Sequence, residues 1–263
     1  MPARGRGCPI SNGEFLRRPG QITDDTNTGL VILIDNIISI KSPDDIQISK
    51  VAVELKSAVK IIDDMQYCVT ELCNRGLEDR TCSAVVAKVF GLTAQHCVGD
   101  NCKVLTLLLR RVQTEYKKKD ELAKSDRTKF VTSALFLGEV FHHVQSEKKT
   151  PFQVLVEPVL TYLDMIIRPH LTEDQRDDID DDMSVVSKQM LQSGDALIEY
   201  NAEGVLKVVQ NVTEVLCRRR LSMSTRVNLL TALAKLWTRL GTYYNAGTIH
   251  AQLANRLEVS LMI

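Results

Sequence analysis

Leu105-Thr106-Leu107-Leu108-Leu109-Arg110-Arg111-Val112-Gln113-Thr114-Glu115-Tyr116 is the stretch whose reading decides the fold. Leu105, Leu108, Leu109, Val112 and Tyr116 recur at helical spacing, so an α-helix gathers them on one buried face and turns Arg110 away from it. The same pattern returns along most of the chain. Ile48, Val51, Leu55, Ala58 and Ile62 form one stripe, and Cys82, Val85, Val86, Val89 and Phe90 another. Ala134, Leu135, Gly138, Phe141 and Val144 continue the series, followed by Val159, Tyr162, Leu163 and Ile166. Val205, Val208, Val209, Val212 and Leu216 come next, and Val227, Leu230, Leu233, Ala234, Trp237, Leu240 and Tyr244 close it. Nothing between residues 45 and 244 alternates for long enough to argue a sheet.

Short polar breaks separate the stripes: Asn74-Arg75-Gly76, Val98-Gly99-Asp100, Lys148-Lys149-Thr150-Pro151, Arg168-Pro169-His170 and Arg220-Leu221-Ser222. Short connections make neighbouring helices antiparallel. Pro158 either opens its helix in the first turn or kinks it. Leu30 to Ile40 is apolar and β-branched, and its length fits a strand or a short helix equally. Helix pairs recur at roughly 40 residues, the period of HEAT-type repeats. The fold expected is therefore all-α, an α-solenoid, with a compact helical bundle as the alternative. Residues 1–28 read as a flexible polar and basic tail, 29–244 as the helical domain, and 245–263 as an amphipathic tail. In that last segment Ile249, Leu253, Leu257 and Leu261 stand four apart. They could dock on the last hairpin, cover a second copy in a homodimer, or stay disordered.

Composition bounds the function. Hydrophobic residues make up 44% and charged residues 25%, which is globular composition and argues against wholesale disorder. The formal net charge is zero, so any charged function must be local. The N-terminal stretch lacks the apolar core of a signal peptide, and no apolar run is long enough to span a membrane. The expectation is a protein that engages no membrane, in the cytoplasm and also compatible with the nucleus. Its seven cysteines are then expected as free thiols.

The sequence holds no GxxxxGK, GxGxxG, GxSxG or HExxH motif, and no enzymatic role, cofactor or metal is expected. Cys68 and Cys73, and Cys97 and Cys102 beside His96, come nearest to a metal site. On a helix, five residues turn through about 500°, so the first pair diverges. Buried thiols explain these residues better. His142 and His143 are adjacent, about 100° apart on a helix, and read as one partly buried and one solvated ring.

Two charged segments remain as candidate sites. Glu173, Asp174, Asp177, Asp178, Asp180, Asp181 and Asp182 form an acidic run ahead of Val185 and Val186. Such a run favours a helix N-terminus; it reads as a solvated turn or as a docking patch for a basic peptide or a basic helicase surface. The stretch Lys103 to Lys129 carries Arg110, Arg111, Lys117, Lys118, Lys119, Lys124, Arg127 and Lys129. Such charges could contact phosphates, but Glu115, Asp120, Glu121 and Asp126 interleave at helix-pairing distances. RNA contact and a solvated, salt-bridged face are both compatible with it.

Leu107 to Tyr116, followed by Phe130-Val131-Thr132-Ser133-Ala134-Leu135-Phe136-Leu137-Gly138-Glu139-Val140-Phe141, resembles a helix pair of the middle domain of eukaryotic translation initiation factor four-G. The single-domain members, which bind the poly(A)-binding protein or the histone stem-loop-binding protein, are similar in style. Gln153 to Leu163, proline included, resembles the following helix, and Leu236-Trp237-Thr238-Arg239-Leu240 stands where the last helix ends. The resemblance covers roughly residues 45 to 244 and implies about five HEAT-like hairpins. It also implies a non-catalytic adaptor in translation or mRNA metabolism. Such an adaptor docks a DEAD-box RNA helicase of the initiation factor four-A class together with an mRNP or RNA-binding protein. Under it, Leu108, Val112, Tyr116, Leu135, Gly138 and Phe141 carry the fold, with Gly138 allowing close helix approach. Arg110, Arg111, Glu115 and Glu139 are surface contacts or intrahelical pairs. Direct RNA binding through 103–129 is the competing function.

Overall fold

A computed structural model describes residues 24–40, 44–58, 62–95, 103–146, 149–172 and 179–244. Among them the secondary structure is helical: α1 (Asp24–Ile38), α2 (Asp45–Ala58), α3 (Ile62–Glu78), α4 (Arg80–Gln95), α5 (Lys103–Lys117), α6 (Lys119–Ser125), α7 (Arg127–His143), α8 (Val156–Thr172), α9 (Ile179–Arg218) and α10 (Met223–Tyr243). The β-pairing among these residues is one isolated bridge, Gln145 with Pro151. The helices pack in sequential pairs, the arrangement of an α-solenoid. The all-α expectation holds, and Leu30 to Ile40 resolves mostly into α1, not a strand. That helix begins at Asp24, inside the stretch read as tail.

Local chemistry sets the helix ends. Asp79, the one residue between α3 and α4, accepts hydrogen bonds from the Thr81 amide and hydroxyl, both 2.8 Å. Asp126 accepts from the Lys129 amide at 2.9 Å and starts α7. Ser222 accepts from the Thr225 amide at 3.2 Å and starts α10. These short polar side chains satisfy first-turn amides that a helix leaves unpaired. Asn201 divides α9 into arms 179–200 and 202–218 through its non-helical backbone (φ −151°, ψ 76°). Its side-chain oxygen accepts from the Gly204 amide at 2.8 Å, so the break carries its own cap.

Two expected breaks are instead helical. Asn74-Arg75-Gly76 lies within α3. A Cβ at Gly76 would stand 2.6 Å from the Phe136 ring, so this glycine serves a close helix approach and not a turn. Arg168-Pro169-His170 lies within α8, which runs on to Thr172. There Ile166, Ile167 and His170 are buried, and packing around Pro169 outweighs its lost amide bond. Pro158 falls in the first turn of α8, where a missing donor costs little, so it opens the helix.

α7 is the axis of the molecule. Every residue from Phe130 to Phe141 is buried, because α3, α4, α5, α6, α8 and α9 all pack around it. Tyr162 from α8 stacks against both Phe130 and Tyr116, with ring centroids 5.3 and 5.6 Å away. Gly138 lets α9 approach closely: a Cβ there would meet the Gln189 side chain at 2.5 Å. Gln189 in turn donates to the Ala134 carbonyl at 2.7 Å.

Candidate partner interface

The acidic run divides at the edge of the described residues. Glu173, Asp174, Asp177 and Asp178 lie outside them; Asp180, Asp181 and Asp182 form the first turn of α9. All three acids are engaged within the chain. Asp182 is only 1% exposed. It receives Arg127 from α7 and, at 2.8 Å, His170 from α8. Arg127 also donates to the Ile166 carbonyl at 3.1 Å, and Arg219 to the His170 carbonyl at 2.7 Å. Asp181 pairs with Arg80 of α4, which also donates to the Thr132 hydroxyl at 3.1 Å. Asp180 accepts from the Ser222 amide at 2.9 Å, ahead of α10. Partial burial pushes the Asp180 carboxyl up, and the hydrogen bonds from Ser222 and Thr225 outweigh this and hold it below its usual range. These three acids therefore tie α9 to α4, α7, α8 and α10. Asp182 is withdrawn from any docking surface, because a carboxylate so buried needs both its partners.

The basic stretch behaves differently. Its eight residues do not form one face. Arg111 is half-buried and donates to Glu115 and to Asn74 of α3, each at 2.9 Å. Lys119 lies 4.9 Å above the Tyr116 ring and pairs with Asp120 at 2.9 Å. Arg127 belongs to the Asp182 cluster. Lys118 is exposed and reaches Glu115 at 3.5 Å. Arg110, Lys117, Lys124 and Lys129 are exposed with no ion pair among the described residues. Glu115, buried between Arg111 and Lys118, is an intrahelical partner, not a surface contact.

The exposed Arg110 is one of the residues lining a cleft of about 420 Å³ formed by α5, Leu137 of α7 and the start of α8. Leu109, Val112 and Tyr116 line one side; Val154, Leu155 and Pro158 line the other. Val154 is 69% exposed, an apolar side chain left in water. Among the described residues no acidic side chain lines the cleft. It can seat apolar side chains of a partner while Arg110 meets a carboxylate beside them. Sequence reasoning missed it because a one-turn 3-10 helix, Gln153–Leu155, brings its far wall into place. The apolar Phe152 and Val154 shortly after the polar break at 148–151 were the signal available.

A second polar cluster lies deeper. Glu139 is fully buried, with Lys188 of α9 at 2.7 Å and His143 at 3.3 Å. Burial pushes its carboxyl up, but the hydrogen bonds from His143 and Lys188 and the charge of Lys188 outweigh this and hold it below the usual range. His142 and His143 are both half-buried, stacked edge to face at 4.6 Å, so neither is solvated as expected. Burial and the neighbouring His143 lower the His142 pKa. Among the described residues no three His, Cys, Asp or Glu side chains gather as a metal site. Cys68, Cys73 and Cys82 are buried free thiols and Cys217 an exposed one; Cys97, Cys102 and His96 lie outside the described residues. Burial pushes the Cys68 thiol up to about 11 and the Cys73 thiol up to about 12. No described helix is long and apolar enough to cross a membrane.

Fold and site together define a helical-repeat protein with an acidic internal clamp and a partly open basic and apolar edge. No protein-family profile matches the chain. Over 225 residues, 82% of its length, it is 24% identical to the CBP80/20-dependent translation initiation factor of Xenopus tropicalis. The chain spans only 37% of that relative's length.

Proposed function

We propose that this protein is a non-catalytic adaptor in translation or mRNA metabolism. It docks a DEAD-box RNA helicase of the initiation factor four-A class and an mRNP or RNA-binding protein. The observation that carries the reading is the likeness, across 82% of the chain, to a translation initiation factor. The helical-repeat fold supports it, since such folds act by presenting long surfaces to other macromolecules. We assign partner contact to the α5–α8 edge: the cleft that Arg110 helps to line, together with the exposed Lys117, Lys124 and Lys129, which have no ion pair among the described residues. The acids Glu173, Asp174, Asp177 and Asp178 are a second docking element in this reading. Calorimetric titration with a four-A-class helicase tests it. Binding at micromolar concentration, weakened by Arg110→Glu, is expected; no heat of binding counts against it.

One observation favours direct RNA contact as a second reading. Five cations of the 103–129 stretch, Lys103, Arg110, Lys117, Lys124 and Lys129, stand exposed with no ion pair among the described residues. Each that meets a phosphate would release about one counterion and steepen the salt dependence. Salt-insensitive RNA affinity, or affinity unchanged in Lys117→Glu/Lys124→Glu/Lys129→Glu, would exclude it.

A further inference from the structure

α10 carries two apolar faces, and the fold uses one. Leu229, Ala232, Leu233, Leu236 and Leu240 are buried, chiefly against α9. Met223, Val227, Leu230, Ala234, Trp237 and Gly241 follow one another at alternating spacings of four and three. At about 100° per residue, these six fall within an arc of about 80°, turned away from the buried face. This spacing is that of a coiled-coil seam, not of scattered surface apolars. Met223 is 77% exposed, Val227 50% and Leu230 53%. Trp237 is only partly buried, and a Cβ at Gly241 would meet nothing within 4 Å. Among the described residues no helix lies on this seam. α10 also contains no acidic residue, and Lys235 and Arg239 turn inward to pair with Asp195 of α9.

α10 is the last described helix, and its apolar seam runs along much of its length without a described partner. The residues that follow it are 245–263, which lie outside the described residues. Asn245-Ala246-Gly247-Thr248 is a turn-forming sequence. Beyond it Ile249, Leu253, Leu257 and Leu261 stand four apart. In helical form, 249–261 would be about 20 Å long, enough to lie back along α10 from its C-terminus past Trp237 and Ala234 to Leu230. The covalent tether keeps it at high effective concentration there, an advantage no separate chain has.

We propose that the outer seam of α10 is the seat of the chain's own residues 249–261, packed antiparallel against it. A segment seated there would cover Trp237.

Trp237 is the chain's single tryptophan, so tryptophan emission reports on its surroundings, which are the core on one side and this seam on the other. The test compares the full chain with Leu253→Glu/Leu257→Glu in the tail and with Leu230→Glu on the seam. All three are measured by Trp emission and iodide quenching over a wide dilution range. Expected is a red shift and greater quenching in both variants, independent of protein concentration, with unchanged thermal unfolding of the remaining helices. A photo-crosslinking residue at position 257 should capture α10 of the same chain when light and heavy isotope-labelled proteins are mixed. Emission and quenching identical in all three proteins would overturn the proposal. So would links between light and heavy chains, or protection that fades on dilution, since a second copy would then be the occupant. If the variants unfold, the crosslink in the unsubstituted remainder of the chain still decides the question.

Discussion

The acids that open α9 and the bases of the α5–α7 segment are both charge runs in sequence, yet they have opposite fates. Asp180, Asp181 and Asp182 are drawn inward to tie α9 to four other helices. Arg110, Lys117, Lys124 and Lys129 are exposed, with no ion pair among the described residues. The difference is one of position. The first turn of α9 meets α4, α7, α8 and the start of α10, whereas α5 and α6 lie at the edge of the packed helices. Charge at a crossing of helices becomes structure, and charge at an edge remains available for partners.

The sharpest way to break this contrast is at Asp182. Asp182→Ala leaves Arg127 and His170 buried without their shared carboxylate, and should cost about 3–5 kcal/mol in chemical denaturation. Asp181, with a side chain 60% exposed, is the internal control. Asp181→Ala should cost about 1 kcal/mol or less, since exposed pairs contribute little. Equal losses at the two positions would remove the distinction between clamp and surface.

Packing around α7 gives the next effect. A Cβ at Gly91 would stand 2.3 Å from the His143 carbonyl oxygen, a backbone atom that cannot swing aside. Gly91→Ala should therefore destabilise by about 1–3 kcal/mol, seen as a lower denaturation midpoint with an unchanged slope.

Acid should then weaken the same interior. His142 has a pKa lowered from the usual 6.5 by burial and by His143, opposed by Glu139 and the carbonyl of Gln192. A lowered pKa means the unfolded chain takes up the proton first. The stability His142 contributes is complete above pH 6.5 and is lost as pH falls through its folded value. Glu139, held below its usual 4.5, adds a second loss at lower pH. Stability should be flat just above pH 6.5 and decline below it, and His142→Gln should remove the first part of that decline. An unchanged profile in the variant would contradict the assignment.

At the open edge the effect on stability should be smallest. Arg110→Glu, Lys117→Glu, Lys124→Glu and Lys129→Glu should each shift unfolding by less than about 0.5 kcal/mol. A large loss at any of them would mean that the edge, like the clamp, is structural.

The contrast also explains what the sequence made legible. Helices α5 and α7 were readable because Leu108, Val112 and Phe141 recur at helical period on buried faces. The arm 179–200 of α9 was not, because its buried face includes Ser187, Gln189, Ser193 and Gly194 as well as Val186 and Met190. Small and polar residues there allow close approach to α7 and α10, as Gly138 against Gln189 and Gly194 against Leu236 attest. Hydrophobic periodicity is blind to such a face. Gly76 and Pro169 were read as breaks for the same reason: local propensity was weighed without the partners that override it. For the candidate site, charge type was legible and charge fate was not. No local pattern tells that Asp182 will meet Arg127, 55 residues away, while Arg110 finds no ion pair among the described residues. The cleft beside Arg110 was invisible because its walls are joined only by the packing of α8 against the rest.

The adaptor reading is tested most directly by titrating a four-A-class DEAD-box helicase into the full chain by calorimetry, beside the Arg110→Glu protein. The account predicts micromolar or tighter binding, no hydrolytic activity added by the chain itself, and clearly weaker binding by Arg110→Glu at unchanged stability. Absence of binding by the unsubstituted chain would contradict it.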